Sequence, residues 1–130
     1  MVIDTSAIVA ILFQEPETQS LIKALVADAK RIMSSFSALE AHVVVQVKKG
    51  PAGGRELDLF LHEAQIEIVN FTADQMKIAK EAYFKFGKGH HKASLNIGDC
   101  CSYALAKYSG EPLLFKGRDF AKTDIIAVEF

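Results

Sequence analysis

Tryptophan is absent from this 130-residue chain, cysteine and proline are scarce at two and three, and neither sign of charge dominates. Each shortage excludes something. A net charge of −1 gives no global attraction to nucleic acid or membrane, so an anionic partner has to be held by a local basic patch or by bound cations. The two cysteines, Cys100 and Cys101, are neighbours. Adjacent residues rarely meet disulfide geometry, and free thiols point to a reducing cytoplasm. No apolar run approaches the ~20 residues that span a bilayer. The opening "MVIDTSAIVAILF" lacks a basic start and carries Asp4, which argues against a signal peptide. Aromatics are mostly phenylalanine, with Tyr83, Tyr103 and Tyr108. At helical spacing they read as core packing, not as a platform for stacked bases. The expectation is one cytoplasmic domain, residues 1–130, with no membrane association.

Half of the residues are hydrophobic, enough for a core, and their pattern alternates between two periods. "MVID" suits a short buried strand, and Asp4, Thr5 and Ser6 offer caps for a helix over "AIVAILF". "PETQSLIKALVADA" reads as a second helix and "RIMSS" as a strand. "SALEAHVVVQVKK" is ambiguous, because "HVVVQV" alone fits a strand. Phe36, Val43, Val44 and Val47 share one face at helical spacing, which favours a helix with that face buried. "GPAGG" is the clearest break, followed by a helix over "RELDLFLHEA", a strand at "IEIVNF" and a helix over "TADQMKIAKEAYFKF". A basic, glycine-rich loop "GKGHHKASLNIG" leads into a helix from about Asp99 to Gly110. "EPLLF" and "IIAVEF" close the chain as strands around the loop "KGRDFAKTD". Strands alternating with helices predict an α/β domain, a mostly parallel central sheet with helices on both faces.

In such a sheet, ligands gather beyond the carboxyl ends of the strands. Asp4 follows the first strand, Asp119 follows "EPLLF", and Asp99 opens a helix. Glu40 falls within the apolar stripe of its helix, an unusual place for a carboxylate. Taken singly, Asp4 and Asp99 fit helix caps, Glu40 fits a stripe edge reaching water, and Asp119 and Asp124 fit turn residues. Taken together, carboxylates converging from distant positions form a pocket that repels itself when empty and attracts a divalent cation.

The successive segments "MVIDTSA", "SALEA", "LNIGDCCSYALAK" and "EPLLFKGRDFAKTD" resemble the motifs of PIN-domain ribonucleases, in particular VapC toxins of toxin–antitoxin pairs. The resemblance runs through the whole chain in order. It implies a PIN-like fold and a metal-dependent endoribonuclease whose acidic residues are Asp4, Glu40, Asp99 and Asp119. Asp124 matches a less constant acidic position, and Thr5 and Ser6 match hydroxyl residues that help hold metal or phosphate. Position 118, often Asn or acidic in the family, is Arg118 here, a cation suited either to RNA phosphate or to weakening a second metal. The expected cofactor is Mg2+, with Mn2+ an alternative, since both prefer oxygen ligands. Asp4 and Asp99 are expected as main ligands, with Glu40 and Asp119 completing the shell and orienting the attacking water. Hydrolysis of this kind leaves 5′-phosphate and 3′-hydroxyl ends.

The resemblance also implies partners: an RNA substrate, a cognate VapB-type antitoxin whose C-terminal segment obstructs the acidic site, often with an arginine, and a second copy of the chain in a homodimer. Lys85, Lys88, His90, His91 and Lys92 concentrate just before the Asp99 helix and suit a phosphate backbone at the rim. A solvated loop is the plainer reading of the same residues. The paired histidines have no companion ligands at structural zinc spacing. Two other functions fit parts of the sequence. A phosphoacceptor receiver expects clustered acids after its first strand and an Asp closing a middle strand, whereas Asp4 stands alone and "IEIVNF" carries none. A non-catalytic RNA- or protein-binding PIN-like module would not need all four acids.

Overall fold

A computed structural model describes residues 1–130. In chain order the elements are β1 (Val2–Ile3), α1 (Thr5–Leu12), α2 (Thr18–Ala27), β2 (Ile32–Ser34), α3 (Ser35–Glu63), β3 (Glu67–Val69), α4 (Ala73–Phe86), α5 (Ile97–Ser109) and β4 (Leu113–Leu114), followed by a 3-10 turn at Phe120–Lys122. The strands form one sheet in the order β3-β2-β1-β4. Every pairing is parallel, with Val2 opposite both Ile32 and Leu113.

The central strands are short and apolar on both sides, as strands covered on two faces must be. Successive side chains of a strand point to opposite faces, and β1 shows it. Ile3 joins a core with Ile8, Leu21, Met33 and Leu57, beneath α1, α2 and α3. Val2 joins a second core with Ala82, Phe86, Leu105 and Leu113, beneath α4 and α5. Both faces of the sheet are thus closed by helices. No helix is long and apolar enough to cross a membrane.

Two sequence expectations are corrected. The first concerns α3. Val43 and Val47 are 55% and 81% exposed, whereas Ser37, Ala38, Ala41 and Val45 are buried. The helix forms as expected but is rotated. Its inner face carries small residues because α1 packs closely against it, and small side chains permit close approach of helices. Glu40 therefore stands at the boundary of the buried face, half-buried, and not inside a buried apolar stripe. The second concerns "IIAVEF", which forms no strand. Only Ala127 bridges to Leu113, because β4 is two residues long and leaves room for a single rung. The "GPAGG" break appears within α3 at Gly50, whose φ of 70° suits glycine and kinks the helix ahead of Pro51.

Candidate active site

The strand order reverses at β1, which has β2 on one side and β4 on the other. A crevice opens at such a point beyond the carboxyl ends of the strands. Asp4 leaves β1 into it and caps α1, its Oδ2 accepting the Ser6 N–H at 3.0 Å. Its other oxygen, Oδ1, accepts from the Ser102 hydroxyl at 2.6 Å. Asp4 is only 3% exposed. A carboxylate so enclosed is tolerable because both oxygens are hydrogen-bonded.

Asp99 enters from the first turn of α5. It forms a reciprocal cap with Asn96: the Asp99 N–H donates to Asn96 Oδ1 at 2.8 Å, and the Asn96 N–H donates to Asp99 Oδ2 at 3.0 Å. These capping bonds fix the direction of both carboxylates. Glu40 reaches across from α3 to the start of α5 and lies against Gly98. A Cβ on Gly98 would stand 2.8 Å from Glu40 Oε1 and 2.9 Å from its Cδ, so only glycine leaves room for this carboxylate. Asp119 follows β4 on an exposed turn and makes no side-chain capping bond.

Electrostatics unites the four. Asp99 is pushed up to about 7, first by burial and then by repulsion from Asp4, Asp119 and Glu40, against the lowering effect of its bond to Asn96. None of the four acids has a lysine, arginine or histidine partner within ion-pair distance. The cup is therefore negative and uncompensated. Its donors are all carboxylate oxygens, the set a hard divalent cation prefers. The side chains do not close into a ready-made shell of three or more direct ligands.

The remaining predicted residues divide. Ser6 lines the rim, its Oγ accepting the Lys116 N–H at 3.0 Å. Thr5 is buried and donates to the Ser37 carbonyl at 3.1 Å. Asp124 accepts from Tyr103 at 2.7 Å and pairs with Lys107 at 3.1 Å, which fastens the C-terminal segment to α5, and it is not among the groups that repel Asp99. In the basic loop, Lys88 and Lys92 are exposed. His91 is half-buried, packs edge-on against Phe86, and accepts the Ala93 N–H. His90 packs against Tyr83 and Phe84. The histidines thus shape the loop, and Arg118 is exposed beside Asp119. Burial, with repulsion from Asp99 and Cys101, pushes Cys100 up to about 12; burial and Glu40 push Cys101 up to about 11. Neither thiol is a nucleophile at neutral pH.

Sequence reasoning missed Gly98, Asn96, Ser37 and Ser102. Two signals were present: a glycine directly before the acidic residue, and a serine one helical turn after it within an apolar helix.

The PIN domain family model matches residues 1–126. Ribonuclease VapC30 of Mycobacterium tuberculosis is 54% identical over 128 residues, 98% of each chain. Among solved structures, M. tuberculosis VapC20, described as a sarcin-ricin loop cleaving toxin, superposes with a TM-score of 0.80 at 15% identity, covering 98% of this chain and 97% of the other. VapBC2 of Rickettsia felis, bound to a DNA fragment from its promoter, gives 0.77 at 18% identity, covering 98% and 96%.

Proposed function

This chain belongs to the PIN-domain family and, within it, to the VapC ribonucleases, and from that membership we propose that it is a toxin that cleaves RNA through a divalent cation held by Asp4, Glu40, Asp99 and Asp119. The observation that carries the reading is at Asp99: burial, with repulsion from Asp4, Asp119 and Glu40, holds its carboxyl up to about 7, and no lysine, arginine or histidine forms an ion pair with any of the four. A structural ion-pair network would include a lysine or arginine. A catalytic metal site must leave that place open.

Bound Mg2+ or Mn2+ would supply the positive charge that acidifies an attacking water and stabilises the charge building on the phosphate. The chain's own residues do the rest. Asp4, buried, and Asp99, half-buried, each fixed by a helix cap, would hold the cation directly or through water. Glu40, braced on Gly98, and Asp119, on the open rim, orient the attacking water and accept its proton. Lys88, Lys92 and Arg118 hold the phosphate backbone outside the cup. The RNA 2′-hydroxyl takes no part, so the products carry 5′-phosphate and 3′-hydroxyl ends.

A VapB-type antitoxin fits the same physics, since an arginine entering the cup would replace the cation among the carboxylates. Pairing with a second copy is part of the proposal, supported by apolar side chains left in solvent near the site, Phe84 and Ile97 among them. Two free thiols fit the reducing cytoplasm. The test is cleavage of total RNA by the purified chain with Mg2+, with EDTA, and with Asp99→Asn. Cleavage confined to the first condition is expected. Cleavage that persists with EDTA would refute the proposal.

A further inference from the structure

Beneath Asp4 lies a chain of hydroxyls that packing alone does not require. Ser102 on α5 donates to Asp4 Oδ1 at 2.6 Å, and its Oγ stands 3.0 Å from the Oγ of Ser37 on α3. Both serines are 0% exposed. The direction of the chain follows from counting protons. Ser102 spends its single proton on Asp4, so the Ser37 proton must go to Ser102. Thr5 closes the group by donating to the Ser37 carbonyl at 3.1 Å. Three helices thus meet under one carboxylate.

We propose that Ser102 and Ser37 are positioning residues of the cation site, acting in series to fix the orientation of the Asp4 carboxylate. The inference rests on the metal-dependent reading above. Neighbouring positions on the two helices are occupied by Ala38, Ala41, Ala104 and Leu105, so apolar side chains of this size pack well between α3 and α5. Replacing both partners of a buried hydrogen bond by apolar groups is often nearly neutral for stability. The Ser37–Ser102 bond is therefore not what the core requires; the bond of Ser102 to the enclosed Asp4 is the one with a task. What they supply is a fixed plane for Asp4. Each carboxylate oxygen has about two acceptor sites. Ser102 takes one on Oδ1 and the Ser6 N–H takes one on Oδ2, leaving one on each oxygen for a cation or its water. Without Ser102, the carboxylate can turn about its last torsion, and those remaining sites lose their aim. Outer partners of metal ligands typically contribute 10–100-fold in affinity by this route.

The experiment is Mn2+ titration of the full chain by calorimetry, with melting temperatures recorded without metal. Ser102→Ala is expected to bind Mn2+ about 10-fold more weakly while remaining folded, and Ser37→Ala to lose less in the same direction. Because Ser37 reaches Asp4 only through Ser102, the double variant is expected to match Ser102→Ala instead of multiplying the two losses. Ser102→Cys keeps a weak donor on a somewhat larger atom and is expected to fall between wild type and Ser102→Ala; with Ser37→Ala it carries the test if Ser102→Ala does not fold. Wild-type Mn2+ affinity in the serine variants, or losses that multiply, would overturn the series arrangement even where wild type outbinds Asp99→Asn. Equal or absent Mn2+ binding by wild type and Asp99→Asn would instead overturn the metal reading and this inference together.

Discussion

Asp99→Asn is expected to stabilise the metal-free protein, and only above a defined pH. The carboxyl of Asp99 is raised from 3.8 to about 7 in the folded chain. A raised acid favours folding fully below its unfolded value, and that contribution is lost as pH rises through the folded value. Wild type without metal therefore weakens between about pH 4 and pH 7. The gap of about three pH units corresponds to roughly 4 kcal/mol; Asp99 is only half-buried, and solvent screening reduces this to about 2 kcal/mol. For 130 residues, an unfolding entropy of about 2.1 cal/mol/K per residue converts it to roughly 7 °C. Asparagine keeps an oxygen to accept the Asn96 N–H, so the cap survives. The assay is thermal melting in EDTA of both proteins at pH 4.5 and pH 8. The expected result is nearly equal melting points at the lower pH and a variant about 7 °C higher at the upper. With saturating Mg2+ the order inverts, because wild type alone gains binding free energy, about 2.7 kcal/mol at 100-fold excess over Kd. A variant that melts lower than wild type at both pH values would refute the reasoning, since capping would then outweigh repulsion.

Other variants probe the remaining parts. Asp4→Asn is expected to abolish RNA cleavage while leaving the far-ultraviolet circular dichroism of the helices intact; a cleavage assay with mapped RNA ends checks it. Gly98→Ala is expected to displace Glu40 and lower kcat about 10-fold with little change in metal-free melting, since the nearest atoms to the added methyl are those of the Glu40 carboxylate, the end of a flexible side chain; wild-type turnover would show that Glu40 needs no such seat. Lys88→Ala with Lys92→Ala is expected to weaken RNA affinity and reduce the salt slope by about 1.4, two contacts at about 0.7 each for single strands. Filter binding across a salt series measures this, and an unchanged slope would return the loop to plain solvent exposure.

The strand–helix alternation was legible because buried parallel strands and capped helices leave strong local marks: "MVID" before a cap, "GPAGG" at a kink, Gly110 at a helix end. The covered parallel sheet followed from these. The face of α3 was not legible. Valines suggest burial by hydrophobicity, but Ala38 and Ala41 are buried because α1 lies close, a fact of packing between elements distant in sequence. The strand "IIAVEF" failed for a similar reason: it has the composition of a strand but only a two-residue edge to pair with. Carboxylates at strand ends could be picked out by topology, since those positions gather wherever the sheet is parallel. Their supports could not. Gly98 matters through the Glu40 carboxylate it admits, and Ser37 through a hydroxyl 65 residues away. Asp124 has an acidic side chain at a plausible place, yet Tyr103 and Lys107 claim it.

The central claim is that one cation position is shared by acids from four parts of the chain. Anomalous diffraction from crystals soaked in Mn2+ tests it most directly. The account predicts density bounded by Asp4, Glu40, Asp99 and Asp119, lost in Asp99→Asn crystals soaked alike. Mn2+ bound elsewhere on the wild-type chain, with that crevice holding only water, would contradict it.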